Sequence, residues 1–500
     1  MYLRVKKVDI DNGDDFYILL HTTDALREGI YDGDLVELSM GDITLNVRAS
    51  VTDSAIEIGS VGIYRDIWMK FEIVNDTMSL VQLITPSESI EHIKKKMLGN
   101  KLNKDQLYQI MQDMGSRKIG MTEVAYFMST FFNPGFDEEE VQWMTEGMAN
   151  SGLKLDFSHL GKGGIVADKH SIGGVAGKAI TPVIVPILAC GGLIVPNTST
   201  RAITTPAGTS DILEVVMPVS LNNDEIMDTV KKTGACMVWG GALDLAPADD
   251  VLIHVERVIH LESYQKLLVS IVAKKIAMGI THVIIDIPHG KGTKVQNIED
   301  VDMIKKGFQK LFNAVGIKSV FYVRNIKNLD GNGIGPNLEM IEVLKLLSQD
   351  SERSIDLENT IVDMAGQLFE LCDVAPKGRG EALARSFLES GDAKKKFWEI
   401  AFAQGATKEV EIGDIKLGEY THDVLSEKDG TIKMWNNREV RKVTKYLGTP
   451  VVKEAGIYVH KVAGDKIKKG DKLITLYTSS QSRIDNALTV LDLEKILEIS

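Results

Sequence analysis

Between residues 179 and 200 the chain carries no charged side chain, and this stretch limits its folding choices more than any other. A run without charge is either buried on every side or embedded in lipid. Pro182, Pro186 and Pro196, with Gly191 and Gly192, interrupt it too often for one membrane-spanning helix, because proline removes a backbone donor and clashes within a helix. The remaining solution is a buried helix followed by a buried strand. Residues 194–196 and 283–287 read as buried parallel strands, and from residue 160 strands and helices alternate, the pattern of an α/β sheet.

Two polar segments flank the uncharged run. Upstream lie Lys169, His170 and Ser171 with Gly173, Gly174, Gly177 and Lys178; downstream, Arg201 sits among Ser199, Thr200, Thr204, Thr205 and Thr209. Glycines let the backbone approach an anion closely, so that N–H groups, hydroxyls and Lys169 surround phosphate oxygens. The pattern is not one of the commoner nucleotide loops: G-x-x-x-x-G-K-[ST] is absent, and no G-x-G-x-x-G follows a strand with an acid beyond it.

Five hundred residues exceed one ordinary core and imply two to four domains. A net charge of −13 argues against a nucleic-acid polymer as partner, which would require a broad basic face, whereas a small phosphate can be captured locally. Cys190, Cys236 and Cys372 without a C-x-x-C fit a reducing cytoplasm. No His/Cys cluster has ligand spacing, so neither metal nor organic cofactor is expected. The first residues alternate like a strand rather than a signal peptide.

The N-terminal region, 1–84, reads as β-rich, with strands bounded by Asp32-Gly-Asp34 and Gly41-Asp42. Helices are expected from Thr85-Pro-Ser-Glu88 onward, with a capping box and proline at the first helical position. Asn103 to Gln106 and Asp137 to Glu140 repeat the box, and Leu107, Ile110, Met111 and Met114 define one buried helix face. The expected organisation is a helical lobe of 85–158 and about 245–277, an α/β phosphate-binding lobe of 159–244 and 278–410, and an α+β C-terminal domain of 411–500. Gly161 to Gly164 and Trp239 to Gly241 are candidate hinges or simple loops.

Asp168-Lys-His-Ser-Ile-Gly-Gly174 resembles the D-K-H-S-T-G-G motif of thymidine and pyrimidine-nucleoside phosphorylases. The wider stretch through Trp239 to Asp250 is most similar to the archaeal AMP phosphorylase branch, and the resemblance covers the whole chain. It implies a multidomain α/β fold of the nucleoside phosphorylase class II type, a helical lobe plus a large α/β lobe with a site in the cleft. It also implies homo-oligomers. For inorganic phosphate it implies Lys169, Ser171, Thr181, Ser199 and Thr209, and for the base His170, Ser270 and Lys274. The archaeal nucleotide-contacting positions fall on Gly174, Thr200, Arg201, Ala202, Ile203, Thr204, Thr205, Thr209, Ser270 and Lys294.

Three departures bear on substrate. Pyrimidine-specific members place an arginine where this chain has Val255. They also carry an apolar Phe beside the ribose 5′ end, where this chain has Lys294, with Lys291 nearby. A cation there points to a 5′-phosphate. The archaeal general acid, an Asp eight residues before the base-binding Ser, is replaced by Glu262, whose carboxylate reaches one methylene farther.

The expected activity is therefore a pentosyl transfer to phosphate: AMP and phosphate give adenine and ribose 1,5-bisphosphate, with CMP and UMP as further substrates. Three alternatives stand beside it. One is a thymidine or pyrimidine-nucleoside phosphorylase. Another is a phosphoribosyltransferase, whose R-x-x-x-x-x-x-G-x-x-D-x-L-E-like segment is echoed from Arg201 to Glu214. The last is a nucleotide-binding assembly module without chemistry.

Overall fold

The computed structural model describes residues 1–13, 16–85, 87–202, 205–259 and 263–500, with the side chains of Ala242 and Arg257 outside the description. The chain divides into two compact units, one of Met1–Leu153 and Leu245–Lys274, the other of Lys154–Asp244 and Lys275–Ser500.

The first unit begins with six strands, β1 (Tyr2–Val8), β2 (Tyr17–His21), β3 (Leu35–Met40), β4 (Ile43–Thr52), β5 (Ser60–Tyr64) and β6 (Met78–Leu83). They close into a barrel in the order β1-β5-β2-β4-β3-β6. The two-residue period selects its interior: Leu3 and Val5, Ile18 and Leu20, and Val36 and Leu38 all face inward and are buried.

Helices follow. Lys104–Gly115 and Glu138–Asn150 each begin with a reciprocal capping box, Asn103 with Gln106 and Asp137 with Glu140. Leu107, Ile110, Met111 and Met114 are fully buried. The helix expected to open at Thr85 starts instead at Ser89, and Glu88 makes no side-chain cap. The reason lies in Ser87, whose hydroxyl accepts from the Ser89 N–H and donates to Asp113 on the next helix, so the chain turns later than local spacing implies. Pro247–Ile259 and Tyr264–Ala277 are the later helices.

In the second unit the uncharged run becomes the helix Thr181–Cys190 followed by a strand. The parallel strands are β7 (Ala167–Ser171), β8 (Val195–Ser199), β9 (Ala235–Trp239), β10 (His282–His289) and β11 (Lys318–Asn325). They pair as β11-β10-β7 and as β8-β9, with a parallel bridge between Val166 and Ile194. Val183, Ile184, Ile187 and Leu188 pack on helices Pro336–Leu347 and Ile355–Leu371 through one apolar core. The C-terminal strands and helices are tied to this body by antiparallel pairing of Gly333–Ile334 with Gly456–Val459. No helix of the described residues is long and apolar enough to cross a membrane.

Helix Pro336–Leu347 buries Glu342 almost completely. Burial pushes its pKa up to about 7, against the weaker pull of Lys345. A carboxyl raised in the folded state contributes stability below its unfolded pKa and loses it as pH rises through the folded value. Thermal stability is therefore expected to fall between about pH 4.5 and about pH 8 by roughly 3 kcal/mol at this site. Glu342→Gln should flatten that slope, which melting curves at the two pH values would show; equal slopes in both proteins would refute it.

Candidate active site

The second unit gathers its polar residues where parallel strands end. Ser171 closes β7, Ser199 closes β8, and the turn from Gly290 to Lys294 follows β10. Parallel α/β sheets bind ligands beyond these carboxyl ends, where loops and helix N-termini converge. The glycines set how closely the loops meet. A side chain on Gly174 would begin 1.7 Å from Thr205 Cγ2, and one on Gly173, at φ +74°, would begin 2.6 Å from Lys294 Cβ. Only glycine permits this approach, so the β7 loop, Thr205 and Lys294 meet in one place.

Beneath the loop lies a charged layer. Ser171 Oγ donates to Asp286 Oδ2 at 2.8 Å, and the same carboxylate pairs with Lys178 at 3.1 Å and Arg324 at 2.9 Å. Burial opposes ionisation of Asp286, but Lys178 and Arg324 outweigh it and hold the carboxyl below the usual carboxylate range. Lys169, 4% exposed, makes no ion pair among the described residues. Burial first, and then Lys178, push its ammonium well below the usual lysine range, with Arg324 adding to the effect. Asp286 and Asp330 pull the other way without restoring it, and a buried lysine crowded by other cations is suited to a bound anion. Thr181 opens the helix Thr181–Cys190, whose N-terminus carries the positive end of its dipole.

Around Ser199 the contacts are internal. Its hydroxyl lies 2.8 Å from Ser210 Oγ. Arg201 pairs with both Glu214 oxygens, at 2.7 and 2.5 Å, and lies over Trp239 at 4.7 Å. Asp211 accepts from the N–H groups of Ala202 and Gly208, each at 2.8 Å. A side chain on Gly208 would begin 2.3 Å from the Thr200 carbonyl oxygen. Within the R-x-x-x-x-x-x-G-x-x-D-x-L-E segment, Asp211 thus ties Ala202 to Gly208, Glu214 holds Arg201, and the Thr205 hydroxyl donates to the Ala207 carbonyl at 2.6 Å. His170 lies in β7 opposite Ile285 of β10, one residue before Ser171.

The first unit holds Ser270 and Lys274 on helix Tyr264–Ala277. At i and i+4 they share a face, and both converge on Asp249. Ser270 Oγ donates to Asp249 Oδ2 at 2.6 Å, and Lys274 Nζ lies 2.7 Å from the same oxygen. Lys266 stands 3.5 Å from Oδ1 and 2.6 Å from Glu256. Burial disfavours the charged carboxyl, but Lys274 and Lys266, with the Ser270 hydroxyl, hold Asp249 below the carboxylate range. Burial likewise works against Lys274, and Asp249 and Asp250 raise its pKa in spite of it. Ile203, Thr204 and Glu262 lie outside the described residues.

Sequence reasoning misses three groups. Asp249 follows Pro247 and reads locally as a helix-start residue, with nothing nearby to link it to Ser270. Asp286 is detectable in principle as the one carboxylate inside an apolar strand, His282–His289. Lys275 turns away from its neighbour and pairs with Asp168 at 2.5 Å, a buried pair that fixes the start of β7.

Comparison with known proteins identifies the family. Residues 163–394 match the glycosyl transferase family a/b domain, and 431–497 match the pyrimidine nucleoside phosphorylase C-terminal domain. The chain is 38% identical to the AMP phosphorylase of Pyrococcus furiosus over 97% of this chain and 95% of that one. It is 36% identical to the AMP phosphorylase of Methanocaldococcus jannaschii over 98% and 95%. In fold it is similar to the anthranilate phosphoribosyltransferase of Thermus thermophilus, with a TM-score of 0.50, 16% identity, and coverage of 63% of this chain and 99% of that one. With curated relatives matched over nearly their whole length, the chain belongs to the AMP phosphorylase family.

Proposed function

We propose that this protein phosphorolyses nucleoside 5′-monophosphates, AMP and phosphate giving adenine and ribose 1,5-bisphosphate, with CMP and UMP as further substrates. The observation that carries the reading is the close packing of Gly173 and Gly174 against Lys294 and Thr205, which brings a second cation to the phosphate loop. Lys169, Ser171, Thr181, Ser199 and Thr209 hold inorganic phosphate. One of its oxygens forms a bond to C1′ as the bond from C1′ to the base nitrogen breaks. The electron pair leaves with the base, which takes a proton from Glu262, while His170, Ser270 and Lys274 hold the ring.

Positive charge that develops on the sugar is met by the phosphate itself, so the site acts mainly by positioning and electrostatics. Lys294 neutralises the 5′-phosphate. The same reading takes the protein to be a cytoplasmic homo-oligomer.

Base release from AMP, CMP, UMP, adenosine and thymidine, each with and without phosphate and without added metal, tests the proposal. Phosphate-dependent release from the monophosphates is expected. Lys294→Ala should reduce AMP turnover about tenfold more than adenosine turnover, since a charge-assisted contact contributes about 1.5–3 kcal/mol. Glu262→Gln should retain AMP binding and lose most turnover. Release from thymidine alone, or from none of them, would refute the function.

A further inference from the structure

The helix Asn437–Leu447 begins against the glycine loop of the candidate site, although it belongs to the C-terminal part of the chain. Asn437 is 4% exposed, and its Oδ1 accepts the Ala176 N–H at 2.8 Å. That bond fixes the amide, because a flipped side chain would set two donors against each other. Its Nδ2 is then left buried without a partner. Such a donor is costly to leave unmatched unless a ligand supplies the acceptor.

Asn437 lines a small polar pocket together with Gly174, Gly292, Arg438 and Arg441. The two glycines make the pocket possible. A side chain on Gly292, at φ +82°, would begin 2.6 Å from Asn436 Oδ1 and 3.1 Å from Asn437 N, and Gly174 already abuts Thr205. Arg438, Arg441, Asn437 with its unmatched amide donor, and the start of an eleven-residue helix line the space, and its described lining includes no carboxylate. Planar guanidinium groups suit phosphate oxygens in particular.

We infer that this pocket receives the 5′-phosphate of the mononucleotide, with Asn437, Arg438 and Arg441 as specificity-determining residues alongside Lys294. The inference rests on the proposed nucleotide substrate. It assigns the C-terminal domain a direct part in substrate choice: a nucleoside lacking the 5′-phosphate leaves Asn437 Nδ2 unmatched, and a nucleotide satisfies it.

Three variants test it in the full-length protein: Asn437→Asp, which keeps the acceptor for Ala176 and replaces the donor by an anion, and Arg438→Ala and Arg441→Ala. The first readout is the ratio of kcat/KM for AMP to that for adenosine. A fall of about tenfold or more in each variant, with the KM for inorganic phosphate unmoved, is expected. The second is calorimetric binding of ribose 5-phosphate, which needs no turnover. The unaltered protein should bind it and Asn437→Asp should not.

A protein that binds ribose 5-phosphate through these residues but releases no base from AMP would overturn the phosphorylase reading and leave the pocket assignment standing. An unchanged AMP-to-adenosine ratio, a shift in the KM for inorganic phosphate instead, or absent or unaltered ribose 5-phosphate binding would overturn the pocket assignment.

Discussion

Lys169→Met is expected to lower phosphate-dependent base release by about a hundredfold or more at subsaturating phosphate, because it removes a buried cation from the site proposed to bind that anion. Methionine keeps the length and apolar body of the chain, and the ammonium is already disfavoured by burial beside Lys178 and Arg324. The variant should therefore melt at the same temperature as the parent or higher, which separates loss of binding from loss of fold. The effect should appear as a raised KM for phosphate, with nucleotide binding retained.

The depressed ammonium also gives the effect a pH signature. A lysine lowered in the folded state holds fewer protons than in the unfolded chain, so folding stability rises with pH through that window. Phosphate binding runs the other way, since only the charged form attracts the anion. Affinity for phosphate should accordingly decline at a pH below the ordinary lysine range of about 10.4. Lys169→Arg, which stays charged, should lose that decline. A phosphate KM in Lys169→Met equal to the parent's, or a pH profile shared with Lys169→Arg, would remove Lys169 from phosphate binding.

The second large effect is expected at Asp249. Its carboxylate is fully buried and joins Ser270, Lys274 and Lys266. Asp249→Asn leaves two cations facing a neutral amide, and breaking a buried pair in this way costs about 3–5 kcal/mol. It also releases the Ser270 hydroxyl and the Lys274 ammonium, the groups proposed to hold the base, so the KM for nucleotide should rise far more than that for phosphate.

Adding Lys266→Met tests the electrostatic part. Lys266 keeps its 2.6 Å pair with Glu256, so removing it relieves one cation but strands that carboxylate. Stability should return only in part, and nucleotide affinity not at all, because Lys266 does not hold Ser270 or Lys274. A double variant as unstable as Asp249→Asn alone would show that packing rather than charge dominates. Unchanged nucleotide KM in the single variant would detach this cluster from the base.

Much of this architecture is legible in the sequence because its rules are local. The capping boxes at Asn103 and Asp137 need only residues three apart, and the buried strands announce themselves by uninterrupted apolar runs. The glycine loop stands out for the same reason. Contacts across distant parts of the chain do not. Asp249 and Ser270 are 21 positions apart, and Asn437 meets Ala176 across 261. Nor can spacing distinguish Lys274 from Lys275, neighbours on one helix that reach carboxylates on different elements. At Ser87 a tertiary bond to Asp113 overrides a local signal that is itself well formed.

The closure of the N-terminal barrel limits the kind of contact that can be made through it. Because β1 pairs with both β5 and β6, the ring of strands is complete and offers no edge on which another strand could grow. Contact through this domain must therefore be made by side chains, such as the exposed Tyr2 and Tyr31, and not by extension of a sheet. Association of that kind stops when matching surfaces are covered, and single substitutions can loosen or retarget it. A closed barrel can thus change what it touches without endangering the fold that carries it.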